Sequence, residues 1–235
     1  MSSEALAVTR VPDAVYEALR ESILSQREAP GSAITEQAVA ERFGVARPTA
    51  KVALERLVAD GLLRREAHKT ARVPELTRDD IVDLYANRAI VEEAALRTLA
   101  ADGVVPMAAI AAQRMLTDAA TAAHSAAPGA AVPSAIARAD IAFHRALVEA
   151  QRSPRLARLH ALLMGEIELC IGQVLGHRLM AIDDVVTQHQ GILDAVAAGD
   201  PERAGALTRA HIESARDRLL ARYDSQLADT APTED

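Results

Sequence analysis

Two Phe, three Tyr and no Trp serve a chain of 235 residues, half of them hydrophobic. A core of that size without rings has to be built from Ala, Leu, Val and Ile, and long Ala/Leu-rich stretches favour helix over sheet. The expected fold is therefore mainly α. The length suits one large domain or two small ones. Charged residues make up only 25% of the chain, which excludes a disordered polyelectrolyte. A single cysteine, Cys170, excludes an intrachain disulfide framework and fits a reducing cytosol. No run approaches the ~20 apolar residues of a membrane span. The N-terminal stretch also lacks the basic start and apolar block of an export signal. The expectation is a soluble protein of the cytoplasm.

Charge is unevenly distributed. Residues 1–75 hold 11 bases and 11 acids, so the net charge of −7 lies entirely in 76–235. Within residues 42–72, eight bases (Arg42, Arg47, Lys51, Arg56, Arg64, Arg65, Lys69, Arg72) face three acids (Glu55, Asp60, Glu66). That local excess on an acidic chain is a candidate footprint for a polyanion, the alternative being a solvated face with ordinary ion pairs. A break falls near Pro74, and Thr77 followed by Asp79 and Asp80 makes a good helix start. Two domains are expected, 1–75 and 76–235.

The first domain reads as a helix–turn–helix followed by a small β wing. Val11, Val15, Leu19, Ser22 and Ile23 recur at helical spacing, predicting a helix over 11–27 that ends at Ala29-Pro30-Gly31. Thr35 caps a short second helix closed by Phe43, and Gly44 is the tight turn. Pro48 sits just inside a third helix, where its missing N–H costs nothing, and Asp60-Gly61 ends it. Leu62–Arg65 and Thr70–Val73 are expected to pair as two short strands around a tip at 67–69. In such a module the second helix of the pair points its first turn at base edges. Here that turn offers Arg47, Thr49 and Lys51.

The run PGSAITEQAVAERFGVARPTAKVALERLVADGLLRR resembles the winged helix–turn–helix of the GntR family of bacterial transcription regulators. The shared features are Pro30-Gly31, Thr35, Gly44-Val45-Ala46-Arg47, Pro48-Thr49-Ala50-Lys51, Ala53-Leu54 and Gly61-Leu62. The resemblance covers about residues 10–73. It implies that Arg47 and Lys51 bind double-stranded operator DNA, with Thr35, Gln37 and Thr49 near phosphates. Three positions depart from the pattern. Ala46 replaces a serine of the turn. Lys51 replaces an arginine and cannot fork onto guanine O6/N7 as an arginine does. The wing tip Ala67-His68-Lys69-Thr70 lacks the usual glycines, which leaves His68 and Lys69 as phosphate contacts or as a solvated loop.

Beyond residue 75 the sequence predicts an antiparallel all-α bundle, with helices near 78–102, 106–124, 134–151, 154–176, 180–198 and 201–224. Three of these carry polar residues on apolar stripes. Asp140 and His144 are four apart on the face marked by Ile136 and Leu147. His189 lies on the stripe Ile182, Val186, Leu193, Val196, and His211 on Leu207, Ala215, Leu219. Burying such groups is costly unless each finds a partner. Two solutions exist: each is separately hydrogen-bonded, or all four share one divalent metal ion.

The segments IVDLYANRAIVEEAALRTLA, ADIAFHRALVEAQRSPRL and TQHQGILDAVAAGDPERAGALTRAHI resemble the FCD effector domain of FadR-type GntR regulators. That resemblance spans about residues 78–222 and implies a metal (Zn, Ni or Mn) held by Asp140, His144, His189 and His211. Gln188 stands where the family has an acid, which removes no ligand. Arg88 matches an arginine facing the effector cavity, with Asn87 beside it. Glu92, four residues on, offers Arg88 an intrahelical ion pair instead. The implied function is a homodimeric DNA-binding regulator, a repressor in the family's usual mode, controlled by a small carboxylate effector at the metal. The competing readings are a metal-dependent enzyme acting on carboxylic acids and a regulator with a purely structural metal. Against the enzyme, no general base stands beside the ligands, and residues 35–73 would have no task.

Overall fold

Residues 11–67, 69–125, 133–175 and 182–230 are described by a computed structural model. The chain divides into two units, 1–75 and 76–235.

Local signals set the elements of the first unit. Helix α1 (Val11–Leu24) buries Val15, Tyr16, Leu19, Ser22 and Ile23 along one face. Strand β1 (Ala33–Ile34) leads to α2 (Glu36–Phe43). The Thr35 hydroxyl caps α2 by accepting from the Ala38 N–H at 3.1 Å. Gly44 turns the chain at a φ of 63°, a conformation that a side chain would strain. Helix α3 (Arg47–Ala59) follows, with proline in its first turn, and buries Ala50, Ala53, Leu54 and Leu57. Ala46 occupies its cap position and makes no side-chain bond there, so the lost serine also costs a cap.

The wing differs from expectation. Strand β2 (Ala71–Arg72) pairs antiparallel with β1, Ile34 opposite Ala71, rather than with a full strand over Leu62–Arg65. That segment contributes one bridge, Arg64 to Arg72, with bonds of 2.8 and 2.9 Å. The reason is burial. Leu62 and Leu63 are adjacent and both 1% exposed, whereas a strand sends neighbours to opposite faces.

The second unit holds α4 (Arg78–Asp102), α5 (Met107–Ser125), α6 (Pro133–Glu149), α7 (Pro154–Leu175), α8 (Ile182–Ala197) and α9 (Pro201–Thr230). Thr77 and Asp80 form a reciprocal capping box at the start of α4. Helices α4 and α9 run antiparallel, as the ion pairs Arg97–Glu202, Glu93–Arg209 and Arg78–Asp224 show. α9 extends past 224, because residues 225–230 contain no breaker and Gln226 Nε2 donates to the Val174 carbonyl at 2.8 Å. The core packs Phe143, Leu147, Ile192 and Val196 against Leu96 and Leu99, with Ala95, Ala100, Ala109, Ala195 and Ala204 filling the close approaches. Small side chains at these contacts let the helices approach closely without rings. No single described helix is long and apolar enough to cross a membrane.

Candidate metal centre and nucleic-acid interface

Helices α6, α8 and α9 bring Asp140, His144, His189 and His211 together, with one ligand atom from each lying within 4.8 Å of all the others. His211 Nε2 is 3.2 Å from His144 Nε2 and 3.3 Å from His189 Nε2. Asp140 Oδ1 lies 3.3 Å from His189 Nε2 and 3.9 Å from His144 Nε2. The three imidazoles are at most 2% exposed.

The outer nitrogens explain the orientation of two rings. His144 Nδ1 donates to Glu92 Oε2 at 2.6 Å, and His211 Nδ1 donates to Gln188 Oε1 at 2.8 Å. Those bonds fix the tautomer, so both Nε2 atoms carry bare lone pairs directed at each other. His189 is held differently. Phe143 stacks flat on it, with centroids 3.9 Å apart and planes 7° from parallel, while its Nδ1 has no hydrogen-bond partner among the described residues.

Two facing lone pairs repel unless a positive charge lies between them. A proton is disfavoured. Burial pushes His144 down to about 4, against the pull of Glu92, and burial with the neighbouring His189 and His144 holds His211 well below its ordinary value. Burial alone would raise Asp140. The hydrogen bond from His189 and the nearby His144, His189 and Arg88 outweigh it and hold the carboxyl below its usual range. Imidazole nitrogens beside a carboxylate are the donor set that a divalent transition metal takes, and these residues fit one.

Glu92 is the hub behind the cluster. It is fully buried and accepts from three side chains: Arg88 Nε at 2.8 Å, His160 Nε2 at 3.0 Å and His144 Nδ1 at 2.6 Å. Burial would raise its carboxyl, yet Arg88 and His144 keep it well below the usual carboxylate range. Arg88 is 1% exposed, and its Nη2 has no partner among the described residues. Asn87 is exposed, with its amide on Asp83, and joins neither Arg88 nor the cluster. His160, on α7, is buried against Glu92. Residue 177 lies outside the described residues, and His124 sits exposed beside Asp183 at 3.3 Å.

In the first unit, Arg47 opens α3 on the exposed side, its Nη2 donating to Gln37 Oε1 at 3.0 Å. Lys51, one turn on, is exposed beside Glu55 at 3.7 Å, and Thr49 is half-buried between them. Thr35 is occupied as the cap of α2. Lys69 pairs with Glu66 at 2.5 Å, and His68 lies outside the described residues. A groove lined by Ile34, Thr35, Glu36, Arg65, Lys69 and Thr70 separates α2 from the wing. The basic excess is partly internal structure. Arg56 bonds Asp13 at 2.5 Å and lies over the Tyr16 ring, and Arg42 bonds Glu28 at 2.7 Å.

A winged helix–turn–helix with a basic, exposed recognition helix, on a chain whose second unit is a bundle around a buried ligand cluster, defines a DNA-binding transcription regulator. Residues 12–73 match the gntR family of bacterial regulatory proteins, and residues 83–214 match the FCD domain. The chain belongs to the GntR-family regulators that carry an FCD domain. It is 28% identical over 211 residues to a probable D-xylose utilization operon transcriptional repressor of Paenarthrobacter nicotinovorans, covering 90% of this chain and 89% of that protein. It is 26% identical to the transcriptional repressor NanR of Enterobacter sp. (strain 638), covering 89% and 85%. Among solved structures, a putative GntR transcriptional regulator from Rhodococcus sp. RHA1 superposes with a TM-score of 0.72 at 26% identity, over 91% of this chain and 99% of that one. These relatives are transcription regulators, not enzymes.

Proposed function

We propose that the protein is a cytoplasmic, homodimeric repressor whose grip on its operator is set by a small carboxylate bound at a metal in the second unit. The observation that carries this reading is the convergence of three buried imidazole nitrogens and one carboxylate oxygen, with two of the rings locked by Glu92 and Gln188. Asp140, His144, His189 and His211 would hold a divalent ion of the Zn, Ni or Mn class, which supplies a positive anchor for a carboxylate. Arg88 presents its unpartnered Nη2 as a donor to the same ligand. Arg47 and Lys51 read bases, while Thr49, Gln37, Thr35 and the wing residues His68 and Lys69 meet phosphates. Two such modules in a symmetric dimer read two half-sites of an inverted repeat. The effector acts by binding one conformation of the bundle better than the other.

The test is selection of bound sequences from random duplex DNA by the full-length, metal-loaded protein, followed by competition with a panel of carboxylic acids. Enrichment of an inverted repeat, released by at least one carboxylate and only in the metal-loaded protein, is the expected result. Enrichment of no sequence, or release indifferent to chelation, contradicts the reading.

A further inference from the structure

Arg88 is not the only arginine of the bundle with buried donors left without a partner among the described residues. Arg218, on α9, gives Nη1 to Ser214 Oγ at 2.5 Å, while its Nε and Nη2 are buried and have no partner among the described residues. Those two N–H groups form one edge of the guanidinium, the edge that takes both oxygens of a carboxylate in a fork. Leaving such an edge dry and unpaired costs about 1–3 kcal/mol per donor.

The register of the bundle shows where this edge lies. The ion pairs Glu93–Arg209 and Arg78–Asp224 place residue 88 of α4 level with about residue 214 of α9. Arg218 is therefore about 6 Å further along the axis, roughly one helical turn beyond Arg88. It is also seven residues from His211, two turns along the same face of α9. Tyr85 bridges the two levels. It is buried, and the Arg88 guanidinium lies 5.7 Å from its ring centroid. Burial and Cys170 raise its phenol, and Arg88 and Arg218 are two groups that pull it back down, so both lie within electrostatic reach of one hydroxyl. Arg222, one turn past Arg218, also leaves Nε buried and without a partner among the described residues.

We infer that the effector is doubly anionic: one carboxylate binds at the metal cluster and Arg88, and a second is gripped by the Nε/Nη2 edge of Arg218 beside Tyr85. This rests on the proposed carboxylate-binding role of the cluster and adds the ligand's far end. A monocarboxylate leaves the Arg218 edge unpaired, so discrimination between one and two charges arises here rather than at the metal.

The probes are malate and 2-hydroxybutyrate, which share four carbons and an α-hydroxyl and differ in the second carboxylate. Calorimetric titration of the full-length, metal-loaded protein should give malate at least tenfold tighter binding. Arg218→Gln should abolish that preference and leave 2-hydroxybutyrate affinity unchanged, which also reports that the bundle is intact. Should the Gln variant fail to fold, Arg218→Lys keeps the charge but loses the fork and should cut the preference severalfold. Equal affinity for the two acids, or a preference that survives either substitution, overturns the inference alone. Binding of neither acid overturns it together with the carboxylate reading on which it rests.

Discussion

The two units treat charge in opposite ways. In the first, bases and acids meet at the surface: Lys51 with Glu55 and Lys69 with Glu66 are more than half exposed, and such pairs are each worth about 0–1 kcal/mol. In the second, Arg88, Glu92, His144, His160, His189 and His211 are all at most 2% exposed, and Glu92 ties Arg88, His144 and His160 into one web. A surface cation exchanges an acidic neighbour for a phosphate at little cost, which suits a face meant to meet a long polyanion. A buried web has no such freedom, because every broken bond leaves a desolvated group behind. What can change it is a small ligand that satisfies the donors left over. On the proposed function the same residue types serve DNA binding on one unit and ligand sensing on the other, and burial separates the roles.

Substitutions break that contrast in a graded way. The largest effect is expected at Glu92. Glu92→Ala strands Arg88, His144 and His160 in the interior and should destabilise the second unit by about 3–5 kcal/mol in denaturant unfolding. Gln188→Ala frees the outer nitrogen of His211 and should weaken metal affinity ten- to a hundredfold in competition with a chelator, while the protein stays helical by circular dichroism. Arg47→Ala should cost about 1–3 kcal/mol in operator affinity, with metal content and unfolding midpoint unchanged. Lys69→Ala should be mildest, lowering the salt slope of DNA binding by about one with no change in sequence preference. A loss at Lys69 larger than that at Arg47 would put the specificity in the wing.

Much of this was legible in the sequence, for physical reasons. Long helices announce themselves by period, so the six helices of the bundle were placed, though α9 runs on to Thr230 because fading amphipathicity is not a stop signal. The cluster was legible because His144, His189 and His211 interrupt apolar stripes. The hub was not. Arg88 and Glu92 are four apart, and on a sequence that reads as an isolated intrahelical ion pair or as an arginine facing the effector. Only the packing of α7 across α4 brings His160 to Glu92 and turns the pair into a buried web. Strand β1 was missed because two residues carry no period, and adjacent Leu62 and Leu63 imitated a strand while both filled the core.

The central claim is that three buried imidazoles and the carboxylate of Asp140 share one ion. Native mass spectrometry of the full-length protein with elemental analysis, alongside His189→Ala, tests this directly. The account predicts one divalent transition-metal ion per chain in the wild-type protein, and a variant that remains helical but retains little metal. A wild-type chain that carries no stoichiometric metal after loading, or a His189→Ala variant that retains it in full, would contradict it.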